Sequence, residues 1–87
     1  MLERLKTLIG ESDQAEKMLI ILKKLKLNTH GKEELLNEIG LSNHTKNVRR
    51  YIDSLGKLNL IEKTIPNKRT SPNQEYRLTI KGENLLD

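Results

Sequence analysis

A mainly α-helical domain closed by a small antiparallel β-hairpin is the fold this sequence predicts, on three observations. Apolar residues recur at helical spacing in successive stretches before residue 59. A short break, Gly40-Leu41-Ser42, separates two of those stretches. A strand-like run, a basic loop at 66–73 bounded by Pro66 and Pro72, and an alternating run then follow. Helix, helix, tight turn, helix, hairpin is the order of a winged helix-turn-helix. In that fold the helix after the turn can enter a DNA groove, and the hairpin can lie beside it on the backbone.

Leu2, Leu5, Leu8 and Ile9 keep helical spacing, and Gly10 can end that helix. Residues 1–10 therefore read as an extra helix or linker ahead of a winged-helix domain at 11–87. The apolar stripe of the extra helix needs cover. It can come from the domain itself, from a second copy in a homodimer through residues 1–27, or from an upstream catalytic or nucleotide-binding domain that this chain does not contain. Asp13, with Glu16 three residues on, marks the start of the first domain helix. Ala15, Met18, Leu19, Leu22 and Leu25 form its apolar stripe, and Lys23, Lys24 and Lys26 oppose the negative end of the helix. Thr29-His30-Gly31 breaks the pattern. The second domain helix is expected over 32–39, with Glu33 and Glu34 in its first turn and Leu35, Leu36 and Ile39 facing inward. Gly40 suits the left-handed end position, Leu41 folds back as its apolar contact, and Ser42 is placed as the next N-cap.

The third domain helix is expected over 43–58. At 100° per residue, Val48, Tyr51, Ile52, Leu55 and Leu58 share one side. Asn43, Lys46, Arg50, Asp53 and Lys57 occupy the opposite side, with Arg49 and Asn47 on its flanks. Lys, Arg and Asn are the side chains that bind phosphates and base edges, although any amphipathic helix also turns a polar face to solvent. Leu60–Ile65 is rich in β-branched residues and is stopped by Pro66. Gln74–Leu78 alternates, which puts Tyr76 and Leu78 on the core side. The connection is too short for a crossover, so the two strands must be antiparallel. Thr79 can cap a final helical stretch, 80–86.

Eighty-seven residues make one domain. The core must be built from Leu and Ile, since Phe and Trp are absent and the two Tyr are the only aromatics. That argues against recognition by base stacking. With no Cys there are no disulfides or thiolate metal sites. There is no membrane-length apolar run and no secretory h-region, so a cytoplasmic location is expected. The formal charge is +4, unevenly spread. Residues 1–43 carry seven basic and seven acidic side chains, whereas 44–87 carry nine and five. The excess falls on the third domain helix and the hairpin, as a polyanion partner requires.

Catalytic chemistry is not legible. His30 and His44 lie in different elements without ligand-spaced acids, so no metal is expected. Glu33, Glu34 and Glu38 read as a solvated acidic face. No nucleophile arrangement and no phosphate-cradling glycine loop is present, and neither a cofactor nor an enzymatic role is expected. The candidate contacts to double-stranded DNA are Asn43, His44, Lys46, Asn47, Arg49, Arg50 and Lys57 on the helix, with Lys68 and Arg69 at the wing tip. The alternative is a non-catalytic protein–protein interaction or dimerisation module on the same fold.

Specific residues carry a resemblance. Leu41 through Asn47, Ile61 to Ile65, Pro66, Lys68, Ser71, Gln74, Tyr76-Arg77-Leu78-Thr79 and Gly82 resemble a bacterial winged-helix domain. It occurs at the C-terminal end of Fic-type proteins and in transcriptional regulators related to the RecG helicase. The resemblance spans roughly residues 15–84, and the phrase Tyr76-Arg77-Leu78-Thr79 is its most specific part. The ending Leu78-Thr79-x-x-Gly82 is shared with winged-helix regulators generally. Asn67, Arg69 and Glu75 depart from the pattern, which has Asp, Pro and Lys there. The resemblance implies the fold and an accessory domain in a regulatory or Fic-type protein. Fic and helicase chemistry do not transfer, because no residue here matches their motifs.

Overall fold

The computed structural model describes residues 2–10, 12–65 and 73–86. Helix α2 (Ser12–Leu27) is the element around which the others assemble. Its expected stripe is buried at Ala15, Met18, Leu22 and Leu25 and half-buried at Leu19. Ile21, off that stripe, is also fully buried. A helix covered on more than one side needs a wider apolar sector than a surface helix does.

Part of that cover is α1 (Leu2–Ile9), which packs on α2 within the same chain. Leu5 is fully buried and Ile9 half-buried, while Leu8 stays 43% exposed. The turn between the helices uses Gly10 at φ +72°, and the Gly10 N–H donates to the Lys6 carbonyl at 2.6 Å. Cover for the stripe therefore comes from α2, with Leu8 left outside it.

Helix α3 (Lys32–Glu38) buries Leu35 and Leu36 and is tied to α2 by an ion pair between Lys24 and Glu38 at 3.3 Å. It ends as expected. Gly40 sits at φ +76°, its N–H donates to the Asn37 carbonyl at 3.0 Å, and the Leu41 N–H donates to the Leu36 carbonyl at 2.9 Å. These are the two bonds of a Schellman stop, with Leu41 as the returning apolar residue.

Helix α4 covers residues 45–57. It opens as α-helix at Thr45–Asn47, widens to π-helix over Val48–Asp53 and returns to α-helix at Ser54–Lys57. Two expectations are corrected here. The helix starts at Thr45 rather than Asn43, and its N-cap is His44 rather than Ser42. The Ser42 carbonyl is instead held from two sides, by the His44 N–H at 2.8 Å and by Asn47 Nδ2 at 2.9 Å. Those bonds keep the chain turning for two more residues before the helix begins. Tyr51, Ile52 and Leu55 are buried, whereas Val48 and Leu58 are only half-buried.

The sheet is β1 (Ile61–Lys63) paired antiparallel with β2 (Tyr76–Leu78), with Ile61 opposite Leu78 and Lys63 opposite Tyr76. Both strands are shorter than the sequence suggests. Leu60 faces Thr79 in register and its carbonyl accepts the Thr79 N–H at 3.1 Å, but its own N–H turns back to the Leu55 carbonyl at 3.1 Å, so the strand begins at Ile61. On the other edge of β2, His30 and Tyr76 exchange two backbone bonds at 3.3 and 2.8 Å. The α2–α3 connection thus adds a rung to the hairpin, leaving β2 central. This mainly helical, winged-helix-like arrangement is closed by α5 (Ile80–Leu86).

Thr79 and Gly82 account for the Leu-Thr-x-x-Gly ending. Thr79 Oγ1 donates to the Asn59 carbonyl at 2.6 Å and accepts the Gly82 N–H at 3.0 Å, so one hydroxyl joins the end of α4 to the start of α5. Gly82 is buried, and a Cβ there would run into the Leu60 carbonyl oxygen and come within 3.2 Å of Leu78 Cδ2.

Candidate nucleic-acid interface

The polar face of α4 is built by the wrapping of its apolar face. With Tyr51, Ile52 and Leu55 held in the core, Lys46, Arg49, Arg50 and Lys57 are exposed, as are Asn43 and His44. Asn43 precedes the helix and belongs to the turn. Asn47 is half-buried, with its amide nitrogen engaged by the Ser42 carbonyl. The Arg50 guanidinium carbon lies 5.8 Å from the centre of the Tyr51 ring, within cation–π range.

The π-helical segment shapes this face. Bonding from i to i+5 carries about one extra residue in a turn, so whatever follows is set back by roughly 100°. An ideal α-helix would align Lys57 with Lys46. By that geometry Lys57 falls out of line with Lys46, which has Arg49 and Arg50 three and four residues on. Two side chains fill the loosened ladder. Ser54 Oγ donates to the Arg49 carbonyl at 3.0 Å, and Gln14 Nε2, from α2, donates to the Arg50 carbonyl at 2.9 Å. The sequence reading missed both. No pattern marks the segment, because Val48, Tyr51, Ile52 and Leu55 suit an uninterrupted α-helix equally well.

Lys68 and Arg69 lie outside the described residues. The base of the hairpin is described. There Arg77 pairs with Glu62 across the strands at 3.6 Å, and Thr64 bonds the Glu75 backbone in both directions. Glu75, one of the departures from the resembling pattern, accepts from Thr29 Oγ1 at 2.7 Å and so ties the hairpin to the α2–α3 connection.

Among the described residues, the Glu34 carboxyl and the Tyr76 phenol titrate away from their ordinary values. A hydrogen bond from His30 Nδ1 at 3.2 Å, helped by the Gly31 backbone, holds the exposed Glu34 carboxyl below the usual carboxylate range. Burial pushes the Tyr76 phenol upward, and the charge of Asp53 adds to the effect. Among the described residues, no group of three or more His, Asp or Glu could hold a metal ion. None of their helices is long and apolar enough to cross a membrane.

Residues 13–79 match the family described as filamentation induced by cAMP protein Fic-like, C-terminal domain. The chain belongs to this family. The matched span of the Fic-like C-terminal domain runs from α2 through β2 to Thr79. It takes in α4 and the hairpin and leaves α1 and α5 outside. The family description is of a domain within a larger protein. No curated protein and no solved structure matches the chain.

Proposed function

We propose that this Fic-like C-terminal domain is a non-catalytic winged helix that binds double-stranded DNA in transcription regulation, as the DNA-reading part of a larger cytoplasmic regulator. The observation that carries the reading is the cluster of Lys46, Arg49 and Arg50, exposed on the one helix that follows the turn and precedes the hairpin. Helix α4 would enter the major groove and the 66–73 wing would lie on the backbone, with phosphate neutralisation supplying most of the affinity. The likeness of the wing phrase to regulators related to the RecG helicase supports the same reading.

Titrating a labelled duplex at several salt concentrations tests it. With Lys46, Arg49, Arg50, Lys68 and Arg69 on phosphates, the logarithm of affinity is expected to fall with the logarithm of salt at a slope of about −4.5. Lys46→Ala with Arg50→Ala is expected to flatten that slope by about two. Absence of any duplex retention at low salt defeats the proposal.

A protein-interaction module is the second reading. Leu27 and Ile80, which are 83% and 78% exposed, favour it. Self-association insensitive to salt, in a chain that ignores DNA, would select it.

A further inference from the structure

Among the described candidate contacts, His44 is the one whose side chain accepts a main-chain N–H. Its Nδ1 accepts the Lys46 backbone N–H at 3.2 Å, and accepting requires a lone pair on that nitrogen. The neutral ring therefore carries its proton on Nε2. The backbone around it is fixed as well. The His44 N–H donates to the Ser42 carbonyl at 2.8 Å, and the His44 carbonyl accepts the Val48 N–H at 2.9 Å. The residue is exposed. What His44 offers outward is one N–H donor, uncharged, with its ring oriented by a bond to the main chain. Ser, Asn or Asp makes a favoured cap, but none of them would cap and also present a donor on the far side of a ring.

We propose that His44 makes a donor-only and uncharged contact to an acceptor atom of duplex DNA, either a phosphate oxygen or the N7 or O6 of a purine. The inference rests on the DNA-binding reading above and adds to it a contact that the charge pattern does not supply. An uncharged donor displaces no counterion, so its signature differs from that of Lys46 or Arg50.

His44→Asn separates the two roles of the ring, because Asn keeps a capping oxygen while its amide N–H groups stop short of the position of the imidazole Nε2–H. Its melting temperature is expected to match the parent. Its Kd for duplex DNA is expected to rise about threefold to tenfold at every salt concentration, the range of one neutral hydrogen bond, with the salt slope unchanged. A loss equal across a panel of duplexes assigns the acceptor to phosphate, and a loss confined to duplexes with one purine assigns it to a base edge. Parental affinity in His44→Asn, alongside weakened binding in Lys46→Ala, overturns this inference and leaves DNA binding standing. A parent chain that binds no duplex overturns both. Nitrogen-15 spectra of the parent ring test the tautomer without DNA, and a proton found on Nδ1 overturns the inference directly.

Discussion

Leu55, Leu60 and Thr79 hold the C-terminal end of α4 from inside the core, whereas Ser42, His44 and Asn47 hold its N-terminal end from the surface. At the C-terminal end Asn59 takes φ +61°, its N–H reaches the Gly56 carbonyl at 3.0 Å, and the Leu60 N–H reaches the Leu55 carbonyl at 3.1 Å. Thr79 then locks the Asn59 carbonyl, and Gly82 lets α5 press against Leu60. The N-terminal end has comparable bonds, but they are made by exposed or half-buried side chains that water can replace. One end is an anchor and the other can adjust. In the proposed complex, the adjustable end is the one that would meet DNA.

The comparison can be broken from the anchor side first. Leu55→Ala is expected to cost about 2–5 kcal/mol. A domain of this size holds on the order of 4–13 kcal/mol, so much of the chain would melt, and denaturant unfolding measures it. An unchanged midpoint would mean that Leu55 anchors nothing. Gly82→Ala is expected to cost about 1–3 kcal/mol, because the new methyl group meets backbone that cannot swing aside. The same substitution at Gly56, where nothing lies within 4 Å, is the control. Equal effects at the two glycines would remove the close approach of α5 as the cause. At the other end, His44→Ala removes a cap and is expected to cost about 0.5–2 kcal/mol. Its amide exchange should quicken at Lys46 while Leu60 keeps its protection. Exchange that quickened equally at both would show the two ends opening as one unit. The smallest effect lies off α4, at Glu34. Its folded pKa is depressed, so its contribution is present above the ordinary carboxylate range and fades as pH falls through the folded value. Because the group is exposed, Glu34→Gln is expected to lower stability only slightly at neutral pH, with parent and variant converging as acid protonates Glu34.

The anchor was more legible in the sequence than the adjustable end. Gly40 and Leu41, Leu55 and Tyr51, and the Thr79 cap with Gly82 all follow from local rules: a residue type that suits a dihedral, a period, or a hydroxyl three residues before an amide. The start of α4 lies two residues beyond the expected one because Ser is a favoured cap and His is not, yet His44 Nδ1 takes the capping role. The choice between them depends on Asn47 reaching back to the Ser42 carbonyl, a contact between side chain and backbone five residues apart. Gln14 was invisible for a stronger reason. Its bond to the Arg50 carbonyl joins positions 36 residues apart and exists only once α2 and α4 are packed. Of the candidate contacts, Lys46, Arg49, Arg50 and Lys57 were singled out by periodicity, and each is exposed. The π-helical turn was not legible, since Tyr51, Ile52 and Leu55 have the sequence spacing of an uninterrupted α-helix.

That wider turn also gives α4 a spare residue. In most helices the loss of one residue rotates everything beyond the gap and drags a polar face into the core. Here a deletion between residues 48 and 53 would let the segment relax to ordinary α-helix, with the turn at 42–44 and the stop at Asn59 keeping their relative orientation. The helix can thus lose one position there without renegotiating its seat in the core, a latitude that a deletion at Lys57 would lack and that comparing the two shortened chains by melting would reveal.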